Sequence, residues 1–143
     1  MDWFNRLAGN RYIQLVLLAN DQGQMLRASR EIQSEDDVLP SMLQALEVLG
    51  QSLSDEFNCG TTHMVHLSTA RGHIMLFPLA GSQYYLAVLV EKIAPLMVVL
   101  VEIERTLKAL NLDELADLNP AAELDAAELI EAVREWLQAK DAE

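Results

Sequence analysis

Leu15-Val16-Leu17-Leu18-Ala19-Asn20-Asp21-Gln22-Gly23-Gln24-Met25-Leu26 is the stretch whose reading decides the fold class. Its first part belongs to a nearly continuous apolar run from Tyr12 to Ala19, which reads as a strand covered on both faces and therefore central in its sheet. Asn20 and Asp21 favour turn starts through side-chain bonds to the backbone, and Gly23 supplies the positive φ that closes a short hairpin. Gln24 to Arg30 is then the antiparallel return strand. Its weak alternation and polar end suit a sheet edge.

Downstream, Ser34-Glu35-Asp36-Asp37 offers a cap with acids in the first turn, and Pro40 is tolerated only near a helix start. The spacing predicts a helix to about Phe57. Leu39, Met42, Leu43, Leu46, Leu49, Leu53 and Phe57 recur at helical steps and are expected to face a sheet, with Gln44, Glu47, Gln51 and Asp55 off that stripe. Asn58-Cys59-Gly60 ends the helix. Thr61 to Thr69, His73 to Ala80 and Gln83 to Glu91 are three β-rich runs joined by short Gly-containing turns, the pattern of an antiparallel meander. Pro78 weakens the middle run, and Tyr84 to Val90 is a second near-continuous apolar strand that belongs beside the first. Pro95 starts a last core helix with a main stripe of Leu96, Met97, Val99, Leu100, Ile103, Leu107 and Leu110, broadened by Val98 and Val101.

Composition then changes. Residues 112–143 carry ten acids and two bases, a net charge of −8, against −4 for residues 1–111. We therefore read a domain over 1–111 and an acidic extension over 112–143. In the extension, Leu129, Ile130, Val133, Trp136 and Leu137 share one face of an amphipathic helix beyond Pro120. That face either packs on its own domain or is taken by another protein. Trp3, Phe4 and Leu7 pose the same choice, with packing on the domain expected.

A net charge of −12 over 143 residues repels nucleic-acid backbones and anionic headgroups, so neither is an expected partner. The apolar stretch from Ile93 to Val101 is too short to span a bilayer, which needs about 20 residues. Asp2 and the lack of a long apolar core make the N-terminus unlike a secretory signal. The single Cys59 forms no internal disulfide, and a cytoplasmic setting is expected.

The search for chemistry finds little. His63 and His66 sit an odd number of positions apart on one expected strand and point to opposite faces, so the histidines, His73 included, read as exposed strand residues and no metal is expected. Cys59 reads as a small packed or surface residue and not as a nucleophile, and Arg71 reads as a solvated turn residue and not as an arginine finger. No phosphate-cradling loop or nucleophile elbow is present. An enzyme is not expected, nor is a cofactor.

The order strand, strand, helix, three-strand meander, helix over residues 12–110 resembles the Roadblock/LC7 family. Residues 15–26 look like its first hairpin, and Arg71-Gly72-His73-Ile74-Met75-Leu76-Phe77-Pro78-Leu79 and Tyr85-Leu86-Ala87-Val88-Leu89 resemble its later strands. The resemblance implies an α+β fold: a single α/β/α sandwich with a five-stranded antiparallel sheet in order 2-1-5-4-3, flanked by helices and followed here by the acidic helical extension. It also implies homo- or heterodimers joined through the third strand and the long helix. Leu43, Leu46 and Gly50, with Thr62, His63, Met64, Val65, His66 and Leu67, are the residues this places at the interface. Family members usually carry a helix before the first strand. Here 11 residues precede Tyr12, room for a turn or two, so the sheet face beside the last core helix is expected to be under-covered and the broad apolar surface of residues 96–103 to need a lid from the C-terminal helix or another protein.

The family's work implies a non-catalytic regulator or scaffold that binds small Ras-like GTPases, motor complexes or other Roadblock subunits, bacterial members acting on a polarity GTPase. Gln44, Glu47, Gln51 and Asp55, with Leu129, Ile130, Val133, Trp136 and Leu137, are the candidate contacts. A second reading is a PAS- or longin-like domain that senses a small molecule between sheet and helix.

Overall fold

The computed structural model describes residues 2–32, 38–116 and 133–139. Chain order is α1 (Asp2–Ala8), β1 (Ile13–Asn20), β2 (Met25–Ala28), α2 (Val38–Glu56), β3 (Val65–Ser68), β4 (Gly72–Leu79), β5 (Tyr84–Glu91), α3 (Leu96–Lys108) and α4 (Leu112–Ala116), with residues 133–139 also helical. The strands form one five-stranded sheet in order β2-β1-β5-β4-β3. Every neighbouring pair is antiparallel. Fold class and strand order are those the resemblance implies.

The first hairpin turns by the expected chemistry. Asn20 Oδ1 accepts from the backbone N–H groups of Gln22 and Gln24, both at 3.0 Å, and Gly23 has φ 74°. The two apolar strands pair in the sheet centre, Leu17 opposite Ala87 and Leu18 opposite Leu86.

Alternation divides the side chains between two cores. Val16, Leu18, Met75, Phe77, Leu86, Val88 and Val90 face α1 and α3, whose Trp3, Phe4, Leu7, Val99 and Ile103 are buried among them. Leu17, Leu76, Tyr85 and Ala87 face α2 through Leu43, with Leu39 and Leu46 beside it. Trp3 and Phe4 pack on the domain as expected, edge to face at 5.8 Å, so two helical turns suffice to cover that part of the sheet. Asn10 Nδ2 donates to Glu102 Oε2 at 2.6 Å and ties the segment after α1 to α3. The same core takes in Leu115 of α4, which is fully buried.

Several expectations need correction. The return strand is Met25–Ala28 and not Gln24 to Arg30, and the third strand is Val65–Ser68 and not Thr61 to Thr69. Thr61 to Met64 stay outside the ladder, and α2 holds Thr62, whose N–H donates to Gln51 Oε1 at 2.9 Å. On α2 the buried residues are Pro40, Leu43 and Glu47. Met42, Leu49, Leu53 and Phe57, expected to face the sheet, are 61%, 68%, 60% and 72% exposed. Apolar residues girdle more of this helix than the sheet can cover. Met97, expected in the main stripe of α3, is likewise outside, and Thr106 takes a buried place, its hydroxyl donating to the Glu102 carbonyl at 2.9 Å. The expected cap at 34–37 lies outside the described residues.

Candidate interaction surface

Among the described residues the sheet ends at β3, with no further strand on its outer edge. A short edge strand needs support, and α2 provides it. Gln51 Nε2 donates to Asp55 Oδ1 (2.9 Å) and to the Gly60 carbonyl (3.1 Å), and Ser54 Oγ donates to the same carbonyl at 2.6 Å. Asn58 and Gly60 take left-handed backbone, φ 55° and 84°, so the chain reverses tightly and is stapled to the last turns of α2. Val65 then passes directly against Gly50: a Cβ on that glycine would stand 3.0 Å from Val65 Cγ2.

This changes the meaning of several candidate residues. Leu43 is buried, Leu46 is half-buried in the α2 core, and Gly50 stands against Val65 of its own chain. Val65 packs toward α2 and Met64 toward the opposite core, and both are half-buried, as is Thr62. His63, His66 and Leu67 are exposed. On α2 itself Val38, Met42, Val48, Leu49 and Leu53 are exposed, as is Phe57 just after it, and the helix meets β3 where Gly50 passes Val65. The surface the structure offers is therefore this stripe together with the β3 edge. Periodicity alone places the same leucines on the inner face.

The polar α2 positions divide similarly. Glu47, expected off the sheet-facing side, is 7% exposed and accepts a hydrogen bond from Ser82 Oγ at 3.0 Å. It pins the β4–β5 turn, where Ala80, Gly81 and Ser82 are all left-handed. Burial and then the negative charges of Glu47 and Asp21 hold the Tyr85 phenol above its ordinary range. Gln44 donates to the Asp21 carbonyl at 2.9 Å, which fastens the β1–β2 turn to α2. Asp55 alone of the four is exposed.

One contact escaped the sequence. His66 Nε2 and His73 Nδ1 approach to 3.0 Å across β3 and β4, and His73 is 6% exposed. The expectation of exposed strand histidines fails for His73, and His63 precedes the strand. Among the described residues no group of three or more metal-binding side chains occurs. Arg71 and Cys59 are exposed. Val133, Trp136 and Leu137 are exposed on the helical segment 133–139, whereas Leu129 and Ile130 lie outside the described residues. A groove of about 600 Å³ lined by Met97, Val98, Val101, Glu102 and Arg105 lies on the outer side of α3. No described helix is long and apolar enough to cross a membrane.

The candidate surface is thus an apolar helix stripe beside an open strand edge, carried on a 2-1-5-4-3 sheet between helices. The Roadblock/LC7 domain model matches residues 2–90, and the chain belongs to that family. The Roadblock/LC7 domain from Streptomyces avermitilis is similar in structure at 20% identity and TM-score 0.65, covering 75% of this chain and 90% of that one. MglB of Myxococcus xanthus is similar at 18% identity and TM-score 0.66, covering 75% and 87%. The gliding protein MglB of Thermus thermophilus gives 16% identity and TM-score 0.60, covering 73% and 80%. No curated protein matches the sequence.

Proposed function

We propose that this chain is a non-catalytic regulatory subunit that pairs with a second copy through β3 and the outer stripe of α2, and in that state binds a small Ras-like GTPase. Another Roadblock-type subunit is the alternative partner in the same role. The observation that carries the reading is the exposed row Met42, Leu49 and Leu53 of α2, with Phe57 just after it, together with a β3 edge that no other described strand covers. Large apolar side chains grouped on one helix favour burial, and an edge strand offers its free N–H and C=O groups to another chain. Two copies related by a two-fold axis satisfy both demands at once, β3 against β3 and α2 against α2. Membership of the Roadblock/LC7 family and the structural likeness to MglB support the GTPase as partner. On this reading the protein adjusts its partner's nucleotide cycle or location, with cell polarity as the setting, and lends no reacting group of its own. The acidic surface favours a basic face on the partner.

Sedimentation of the full chain at micromolar concentration is the first test, with nucleotide hydrolysis and release by a Ras-like GTPase measured in its presence. A species of twice the 16.0 kDa chain mass that alters either rate supports the reading. A 16.0 kDa species overturns the dimer. A dimer that changes neither rate nor binds the GTPase overturns the partner.

A further inference from the structure

His66 and His73 carry chemistry that the proposed function leaves unused. Both stand on the face of the sheet that carries α3: Val65 packs into the α2 core, so its neighbour His66 points the other way, and His73 shares the side of Met75 and Phe77. Their nitrogens, Nε2 of His66 and Nδ1 of His73, are 3.0 Å apart. Two imidazole nitrogens bound side by side to one tetrahedral zinc ion, each at about 2.0–2.1 Å, stand about 3.3 Å apart. The pair is therefore within about 0.3 Å of the spacing that a shared metal ion needs. Burial holds the His73 ring in place, whereas the exposed ring of His66 can turn to aim its lone pair beside that of His73.

A single chain falls short of a site, because among its described residues no group of three or more metal-binding side chains occurs and a zinc ion takes at least three protein ligands. Symmetry supplies the others, on the reading already given that β3 pairs with β3 of a second copy about a two-fold axis. Residues opposite one another in an antiparallel pair project to the same face, so His66 can stand only against Met64, His66 or Ser68 of the second copy. In each of these registers the two His66 side chains are neighbours, directly opposite with Cβ atoms about 4.5–5.5 Å apart, or diagonal at about 7–8 Å. Each has its own His73 beside it on β4. We propose that these four imidazoles, His66 and His73 of both copies, bind one divalent transition-metal ion of the zinc type at the two-fold axis. Imidazole nitrogen suits zinc, copper and nickel, and a site with no thiolate or carboxylate selects for those over calcium or magnesium. Lys92 decides between the registers. Its Nζ is held on Ser68 Oγ at 3.3 Å, two residues along the strand from His66. Setting His66 opposite its counterpart keeps both ammonium groups clear of the imidazoles, so the ion fixes that register of the paired edges.

Cobalt chloride is the probe, because tetrahedral nitrogen coordination gives cobalt(II) an intense visible absorption that the hydrated ion lacks. The full chain is titrated with it, zinc chloride is then added in competition, and sedimentation is run in parallel in EDTA and in metal. His66→Gln removes an exposed ligand while keeping a hydrogen-bonding group beside His73, and circular dichroism reports that the variant is folded. His63→Gln is the control, an exposed histidine that precedes the strand. The expected result is a tetrahedral cobalt band that saturates at one ion per two chains, is displaced by zinc, disappears in His66→Gln and persists in His63→Gln. A dimer that gives no such band overturns the metal site and leaves the β3 pairing standing. Saturation at one ion per chain overturns it, as does a His66→Gln chain that binds like the parent. A 16.0 kDa species both in EDTA and with metal overturns the pairing on which the site rests.

Discussion

His66 Nε2 and His73 Nδ1 stand 3.0 Å apart, although the ladder sets His66 opposite Met75 and His73 opposite Ser68. The contact is diagonal, reaching along the strands on the face that carries α3. Beside it Lys92 Nζ donates to Ser68 Oγ at 3.3 Å, so two side-chain links supplement the four-residue ladder of the edge strand.

Replacing His66 by Phe removes the hydrogen-bond partner of a buried imidazole. An unpaired buried polar group costs about 1–3 kcal/mol, and His66→Phe should lose that much in urea denaturation. Unchanged stability would mean that the pair does not form in solution.

Tyr85 predicts the alkaline limb of stability. Burial, then Glu47, then Asp21 raise its folded pKa above the ordinary 10.0. The unfolded chain therefore releases this proton first, and stability falls as pH climbs through 10.0 toward the folded value. Melting temperatures across that range should drop more steeply for the parent than for Tyr85→Phe. Parallel slopes would refute the assignment.

Two glycines should respond oppositely to alanine. At Gly72 an added Cβ meets the Val90 carbonyl oxygen at 2.9 Å, a backbone atom that moves only with its strand. Gly72→Ala should cost about 1–3 kcal/mol. At Gly50 the obstacle is the Val65 methyl at 3.0 Å, which can yield, and the helix gains about 1 kcal/mol from losing a glycine. Gly50→Ala should stay within about 1 kcal/mol of the parent in the same denaturation experiment, whereas Gly50→Leu should displace β3. A reversed ranking of the two alanine variants would contradict the packing described.

The α2 stripe predicts a variant that separates folding from association. Leu49→Asp with Leu53→Asp alters residues 68% and 60% exposed, so the monomer should keep its circular dichroism while sedimentation shifts to 16.0 kDa. Persistence of the larger species would place the interface elsewhere.

Much of the fold is legible from local chemistry. The Asn20 and Gly23 turn, the two central apolar strands, the meander and the helix start at Pro95 all rest on interactions among near neighbours in the chain, which local residue types report. The candidate surface is less legible. A 3.6-residue period marks which positions of α2 are apolar but not how many of them a sheet of given width will cover, so Leu49 and Leu53 read as inward-facing. Glu47 reads as a surface acid because its partner, Ser82, is 35 residues away and arrives only when the β4–β5 turn folds under α2.

Residue order was therefore enough to set the order of the elements, the first hairpin turn and the acidic balance of the chain. Which apolar face met the sheet and which stayed outside, that Gly50 receives Val65, and that His66 meets His73 were settled only when the elements packed. Burial belongs to pairs of surfaces: a side chain's hydrophobicity is local, but the surface that covers it comes from distant parts of the chain.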